Sequence, residues 1–135
     1  MSLFGAMPIA NSGIDAAQEW IDATGGNIAN ADDSGPTSEG AYQTQYVDAV
    51  PLPSGQTGGA GQGVATGIEL GSNEGTEEYD PGNPEADSQG MIRVASVDLG
   101  QQMVNLVMAQ TSYQANVSVV NQAKTAYESA LTLGT

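Results

Sequence analysis

The chain contains no cysteine and no histidine. The first absence removes disulfides, thiolate nucleophiles and thiolate metal sites. The second removes the side chain most used for acid–base chemistry near neutral pH. Only two residues are basic, Arg93 and Lys124, against 16 acidic ones, for a net charge of −14. Phosphate binding needs clustered lysine and arginine, so the balance argues against nucleic acid and anionic membrane surfaces as partners. No run of about 18 apolar residues occurs, so no direct membrane insertion is expected. The N-terminus lacks the basic region and apolar core of a cleaved secretory signal. Aromatic residues make up 5%, with one Trp and one Phe, which argues against a large aromatic core.

What is present is periodicity at the two ends and acid in the middle. The length suits one ordinary domain. Residues 1–31 hold Asp15, Glu19 and Asp22; residues 32–98 hold twelve acids and Arg93; residues 99–135 hold only Lys124 and Glu128. The middle therefore reads as solvated and the ends as partly buried. From Pro8 to Ala31, Met7, Ile14, Ile21 and Ile28 recur every seven residues, and Ala10, Ala17, Thr24 and Ala31 form a second row. This is a heptad seam with one bulky and one small row. Pro8 suits the first helical turn. Gly13, Gly25 and Gly26 each cost about 1 kcal/mol in a helix interior, so packing must stabilise this helix. Gly25–Gly26 leaves open a continuous helix or a bend.

The last segment, Leu99–Leu133, repeats the pattern. Met103, Leu106, Gln110, Tyr113, Val117, Val120, Lys124, Tyr127 and Leu131 step by three and four. Asp98 is placed to cap its start and Gly134 to stop it. No charge occurs from Leu99 to Ala123, yet glutamine and asparagine are strewn through it. That composition suits burial among other helices, where amides bond without burying charge. Two helices of roughly 36 and 50 Å carry more apolar surface than they can bury on each other. Either helices from other chains cover the surplus, or the two close into a single hairpin.

The middle reads as a small β unit with long loops. Tyr42–Val50, Val64–Leu70 and Met91–Val94 are strand candidates. "DDSGPTSEG" and Gly71–Gly90 read as turns, and Pro51–Gly63 as a low-complexity loop. Chemistry finds little support here. Asp32–Asp33 and Glu77–Glu78 are adjacent loop acids of the solvated kind, and Lys124 faces Glu128 at i+4 as a surface ion pair. Asp80, Asn83, Glu85 and Asp87 miss calcium-loop spacing because Gly82 and Pro84 take the third and fifth places. "GGAGQG" (residues 58–63) lacks the spacing and following helix of a phosphate cradle. No cofactor is expected. The "NVS" sequon at Asn116 falls mid-helix and reads as chance.

"SGIDAAQEWIDATGGNIANADD" (Ser12–Asp33) resembles the N-terminal signature of bacterial flagellar rod and hook axial proteins. Tyr79–Gly134, from "YDPGNPEADSQGMIRV" to "ESALTLG", resembles proximal-rod members of that family along its full length. The chain departs from the family pattern at Ala95, where proline is usual, and at Thr111, where arginine is frequent. The resemblance implies a subunit of the hollow periplasmic drive shaft, exported without a cleaved signal by the flagellar export apparatus. Its partners would be copies of itself and other rod proteins.

The expected fold is mainly α with a small β insertion. Two long terminal helices (1–31 and 99–135) form an antiparallel coiled-coil-like pair, with an acidic, loop-rich β region (32–98) between them. The expected function is structural and non-enzymatic. The residues expected to carry helix packing and assembly are Met7, Ile14, Ile21, Ile28, Met103, Leu106, Tyr113, Val117, Val120, Tyr127 and Leu131. The competing reading is an acidic secreted or surface module that binds cations.

Overall fold

The computed structural model describes residues 3–53 and 61–133. The element order is α1 (Leu3–Ala29), β1 (Ser34–Pro36), β2 (Gln45–Pro51), β3 (Val64–Leu70), β4 (Thr76–Tyr79), β5 (Met91–Val94) and α2 (Leu99–Leu133). The fold is mainly helical with a β middle region, as the periodicity predicts. The helices contain 27 and 35 residues, about 40 and 52 Å at 1.5 Å per residue.

α1 begins about a turn before the expected Pro8 and ends two residues before Ala31. Pro8 therefore lies inside the helix, where its absent N–H would only have reached the carbonyl of residue 4. Gly25 and Gly26 are both helical, so the pair is not a bend. Just past the helix stands Asn30, whose backbone N–H and side-chain Nδ2 both donate to the Gly26 carbonyl, at 3.1 and 2.8 Å. That satisfies a carbonyl the last turn would otherwise leave open. α2 starts as expected. Asp98 Oδ1 accepts the Gln101 N–H at 3.0 Å, and the Asp98 carbonyl accepts the Gln102 N–H at 2.9 Å. The expected stop at Gly134 lies outside the described residues.

β3 and β5 fall where alternation places them, and β2 starts three residues later than expected. β2 pairs with β3. The other sheet has the order β1-β5-β4, antiparallel throughout, with Pro36 and Glu78 both opposite Ile92. Sequence periodicity does not reveal β1 or β4. β1 is three residues of turn-formers, and all four residues of β4 are exposed. Both are strands because β5 offers a backbone ladder on each side, not because of their own side chains. Ile92, 4% exposed, is the core of this sheet.

The chain divides into two compact units. The first comprises Met1–Ile21, Val47–Gly67 and Val107–Thr135; the second comprises Asp22–Tyr46 and Ile68–Leu106. Each draws on both helices and on the middle of the chain.

In the second unit, one carboxylate organises the loop between β4 and β5. The Asp87 side chain accepts N–H groups from Gln89 and Met91, at 2.8 and 3.0 Å, and the Thr37 hydroxyl at 2.9 Å. The Met91 N–H, then the Gln89 N–H, then the Thr37 hydroxyl hold its carboxyl below the usual carboxylate range. Because the folded value is depressed, this stabilisation is complete above the unfolded-chain pKa near 4. It is lost as pH falls through the folded value. Asp87→Ala should therefore lower the melting temperature at pH 7, and its gap to the parent chain should close as the melts are repeated toward pH 2. A gap that is constant with pH would contradict this role.

Candidate functional site

A heptad helix pair presents small and large residues to different neighbours, and here the small ones face inward. In the first unit, α1 buries Ala10 and Ala17, and α2 buries Ala109 and Ala123. Ala109 has no exposed surface. Gly13 lies between the two α1 alanines on the same stripe. A Cβ built there would stand 2.8 Å from Asn116 Oδ1, closer than real side chains approach. Gly13 and Asn116 thus mark a close approach in which the Asn116 amide takes the space a Cβ at residue 13 would need. The β2–β3 ribbon is tied to α1 beside it. The Ser12 hydroxyl accepts the Val64 N–H at 3.1 Å and donates to the Ile9 carbonyl at 2.8 Å. The Thr66 hydroxyl donates to Glu19 Oε2. Gly63, at φ +105°, turns the chain against Ser12 where any Cβ would collide with it.

In the second unit, the end of α1 lies beside the start of α2, and the contact is polar. Asn27, 1% exposed, uses its whole amide. Its Nδ2 donates to the Gln45 carbonyl at 2.8 Å and to Gln102 Oε1 at 3.1 Å. Its Oδ1 accepts the Gln45 N–H at 2.8 Å and the Tyr42 hydroxyl at 3.1 Å. One side chain thereby holds α1, α2 and the entry to β2 together. Thr24 and Gln102 are buried around it. The amide crossing at Asn27–Gln102 and the glycine crossing at Gly13–Asn116 lie two heptads apart on either helix. On α2, Gln102, Ala109, Asn116 and Ala123 make up one heptad row. Periodicity read from bulky residues alone passes over that row.

The expected packing residues occupy the flanks. Met7, Ile14, Ile21 and Ile28 are half-buried, as are Leu106, Tyr113, Val117 and Val120. Met103, Tyr127 and Leu131 are exposed. Further large apolar residues stand exposed on α2: Val104 in the second unit, and Val107, Met108 and Val119 in the first. Beyond Ala123 every described α2 residue is exposed. Lys124 and Glu128 make the expected i,i+4 pair at 3.8 Å. Arg93 bridges Glu77 across β4–β5 at 3.2 Å. Among the described residues no group of three acids is placed to hold a metal ion, and no helix is long and apolar enough to cross a membrane.

Comparison with known proteins agrees with this helical, non-catalytic picture. The family model for the flagellar basal body rod FlgEFG protein C-terminal region matches residues 88–133. The flagellar basal-body rod protein FlgC of Salmonella typhimurium is 38% identical over 135 residues, covering 99% of each chain. The protein of the same name from an Escherichia coli O6:H1 strain is 38% identical over 136 residues, again covering 99% of each. That from Borreliella burgdorferi is 30% identical over 149 residues, covering 98% of each.

The Asn27 network sets an expectation for stability. Asn27→Ala leaves the Gln45 backbone and the Tyr42 and Gln102 side chains short of partners in a buried place, and should cost about 2–4 kcal/mol in denaturant titration. The glycines give a contrast. Gly25 is exposed with open space where a Cβ would go, so Gly25→Ala should gain about 0.5–1 kcal/mol. Gly13→Ala has the same propensity gain, yet should destabilise because Asn116 blocks it. Asn116→Ala should relieve that loss. Equal effects at the two glycines would refute the close crossing.

Proposed function

The chain belongs to the FlgC family of flagellar basal-body rod proteins, and from that premise we propose that it is a structural, non-enzymatic rod subunit that transmits torque through helix packing. One observation supports this beyond family membership. Within the chain the helices meet through alanine, glycine and amide side chains, while large apolar residues of an uncharged helix face remain uncovered. A helix that finished its packing inside one chain would bury the large residues first, since each buried methylene contributes about 0.8 kcal/mol. The large side chains instead serve neighbours, which are copies of this chain and other rod proteins. The packing set is Met7, Ile14, Ile21 and Ile28 with Met103, Leu106, Tyr113, Val117, Val120, Tyr127 and Leu131. The terminal helices (1–31 and 99–135) form the coiled-coil-like core, and the acidic middle (32–98) carries the solvated surface.

The same reading places the subunit in the periplasmic rod, delivered through the flagellar export apparatus without a cleaved signal. The four glycines of α1 suit such a route. They lower the helix's own stability, so the chain passes unfolded at less cost and orders when neighbours pack on it. The stretch of α2 beyond Ala123, exposed throughout, should fray in the free subunit.

Circular dichroism tests this. The dilute monomer should show less helix than α1 and α2 together would give, and the signal should rise on assembly. Full helicity in the dilute monomer would contradict folding on assembly. Sedimentation that stays monomeric at every concentration, alone and with other rod proteins, would contradict the subunit role itself.

A further inference from the structure

Beside the small-residue crossing, the first unit contains a hollow of about 340 Å³, lined mainly by Gly13, Ala16, Ala17, Trp20, Ala49 and Val64. It is many times the roughly 30 Å³ that one water occupies in the liquid. Its lining holds no charged group. Large side chains could fill it from within, but the positions nearest the crossing are glycine and alanine. On the same unit, Val107 is 62% exposed and Met108 53% exposed. Val107 precedes the fully buried Ala109 by two residues, so at 3.6 residues per turn it lies on the far side of α2.

We propose that this hollow is the socket for a second copy of the chain and that the Val107–Met108 ridge is the knob it receives. The proposal rests on the rod-subunit reading and specifies where copies join. Charge favours this place for a contact between copies. Of the 16 acids, Asp15, Glu19, Asp48 and Glu128 fall in the first unit, which also holds Lys124; the other twelve and Arg93 fall in the second. Two copies of a chain with net charge −14 repel each other. They come together at least cost through the unit of net charge −3, across surfaces that carry no charge at the contact. The ridge, on a helix uncharged from Leu99 to Ala123, meets that condition, as does the socket. Knob and socket are different surfaces of one chain, so the contact is head-to-tail. Such contacts propagate into rings or helical filaments instead of closing as two-fold dimers.

Two variants and a mixture test it. Ala16→Leu blocks the socket, with Ala49→Phe as a second blocking variant from β2. Val107→Lys blocks the knob while lowering the net negative charge, so lost association cannot be blamed on added repulsion. Circular dichroism first establishes that each variant folds as the parent does. By sedimentation velocity each variant alone should remain monomeric where the parent chain self-associates. Mixed in equal amounts they should form dimers and go no further, since one sound knob and one sound socket remain. The single tryptophan, Trp20, lines the socket, and its emission should shift to the blue in the mixture but in neither variant alone. If the parent associates and the variants associate equally well, or if the mixture stays monomeric, the socket is wrong while the subunit reading stands. A parent chain that does not associate with itself at any concentration would overturn the socket, and one that also fails to associate with other rod proteins would overturn both.

Discussion

The structure depends on one packing constraint: α1 and α2 approach each other through residues too small to keep them apart. Ala10 and Ala17 on one helix and Ala109 and Ala123 on the other are buried, and Gly13 lies against the Asn116 amide. At Gly13 even a methyl group would strike Asn116. Burying alanines yields less hydrophobic stabilisation than burying leucines or isoleucines, so this pairing is modest by itself. What it does is turn the large apolar side chains outward and sideways, where the proposed rod packing would have a neighbouring chain meet them. A monomer's weakness and an assembly's strength then follow from the same arrangement.

A second device keeps the β region attached. Asn27 sits at the end of α1, where the chain must leave the helix, and its amide binds the Gln45 backbone in both directions. A buried amide with every group satisfied costs little and specifies one geometry, whereas a half-satisfied one would be a liability. Gly26 precedes it, and a Cβ there would meet the Tyr42 hydroxyl only at an ordinary contact of 3.7 Å. The "GGNIANADDSGP" stretch therefore combines a weak helix with a strong anchor: glycines that lower helix propensity, an asparagine that docks the strand entry, and Asn30, which closes the last turn.

Much of this was legible in the sequence. The seven-residue recurrence located both helices to within a few residues, because burial on one face leaves a period that solvent-facing loops do not. Alternation at Val64–Leu70 and Met91–Val94 located β3 and β5. β1 and β4 were not legible, since their pairing is set by the backbone of β5 and their side chains face water. The inward row was also hard to read. Ala109 and Ala123 carry no strong hydrophobic signal, and Gln102 and Asn116 look polar, so the eye follows Met103, Leu106 and Tyr113 instead. Asn27 was visible only as part of a family signature. Its role emerges when Gln45, 18 residues away, and Gln102, 75 residues away, are brought beside it.

The acidity belongs to the same division of labour. Twelve of the acids lie in the second unit, leaving the uncharged length of α2 free for contacts that bury apolar surface. The central claim is that small residues are covered within the chain and large ones between chains. The absence of native cysteine makes this directly measurable by thiol labelling of two single-cysteine variants, Val107→Cys and Ala109→Cys. The thiol at position 107 should react quickly in the folded monomer and become protected on assembly, and that at position 109 should react slowly in both states. A thiol at position 107 that remains equally reactive in the assembled form, or one at 109 that reacts quickly in the folded monomer, would contradict the account.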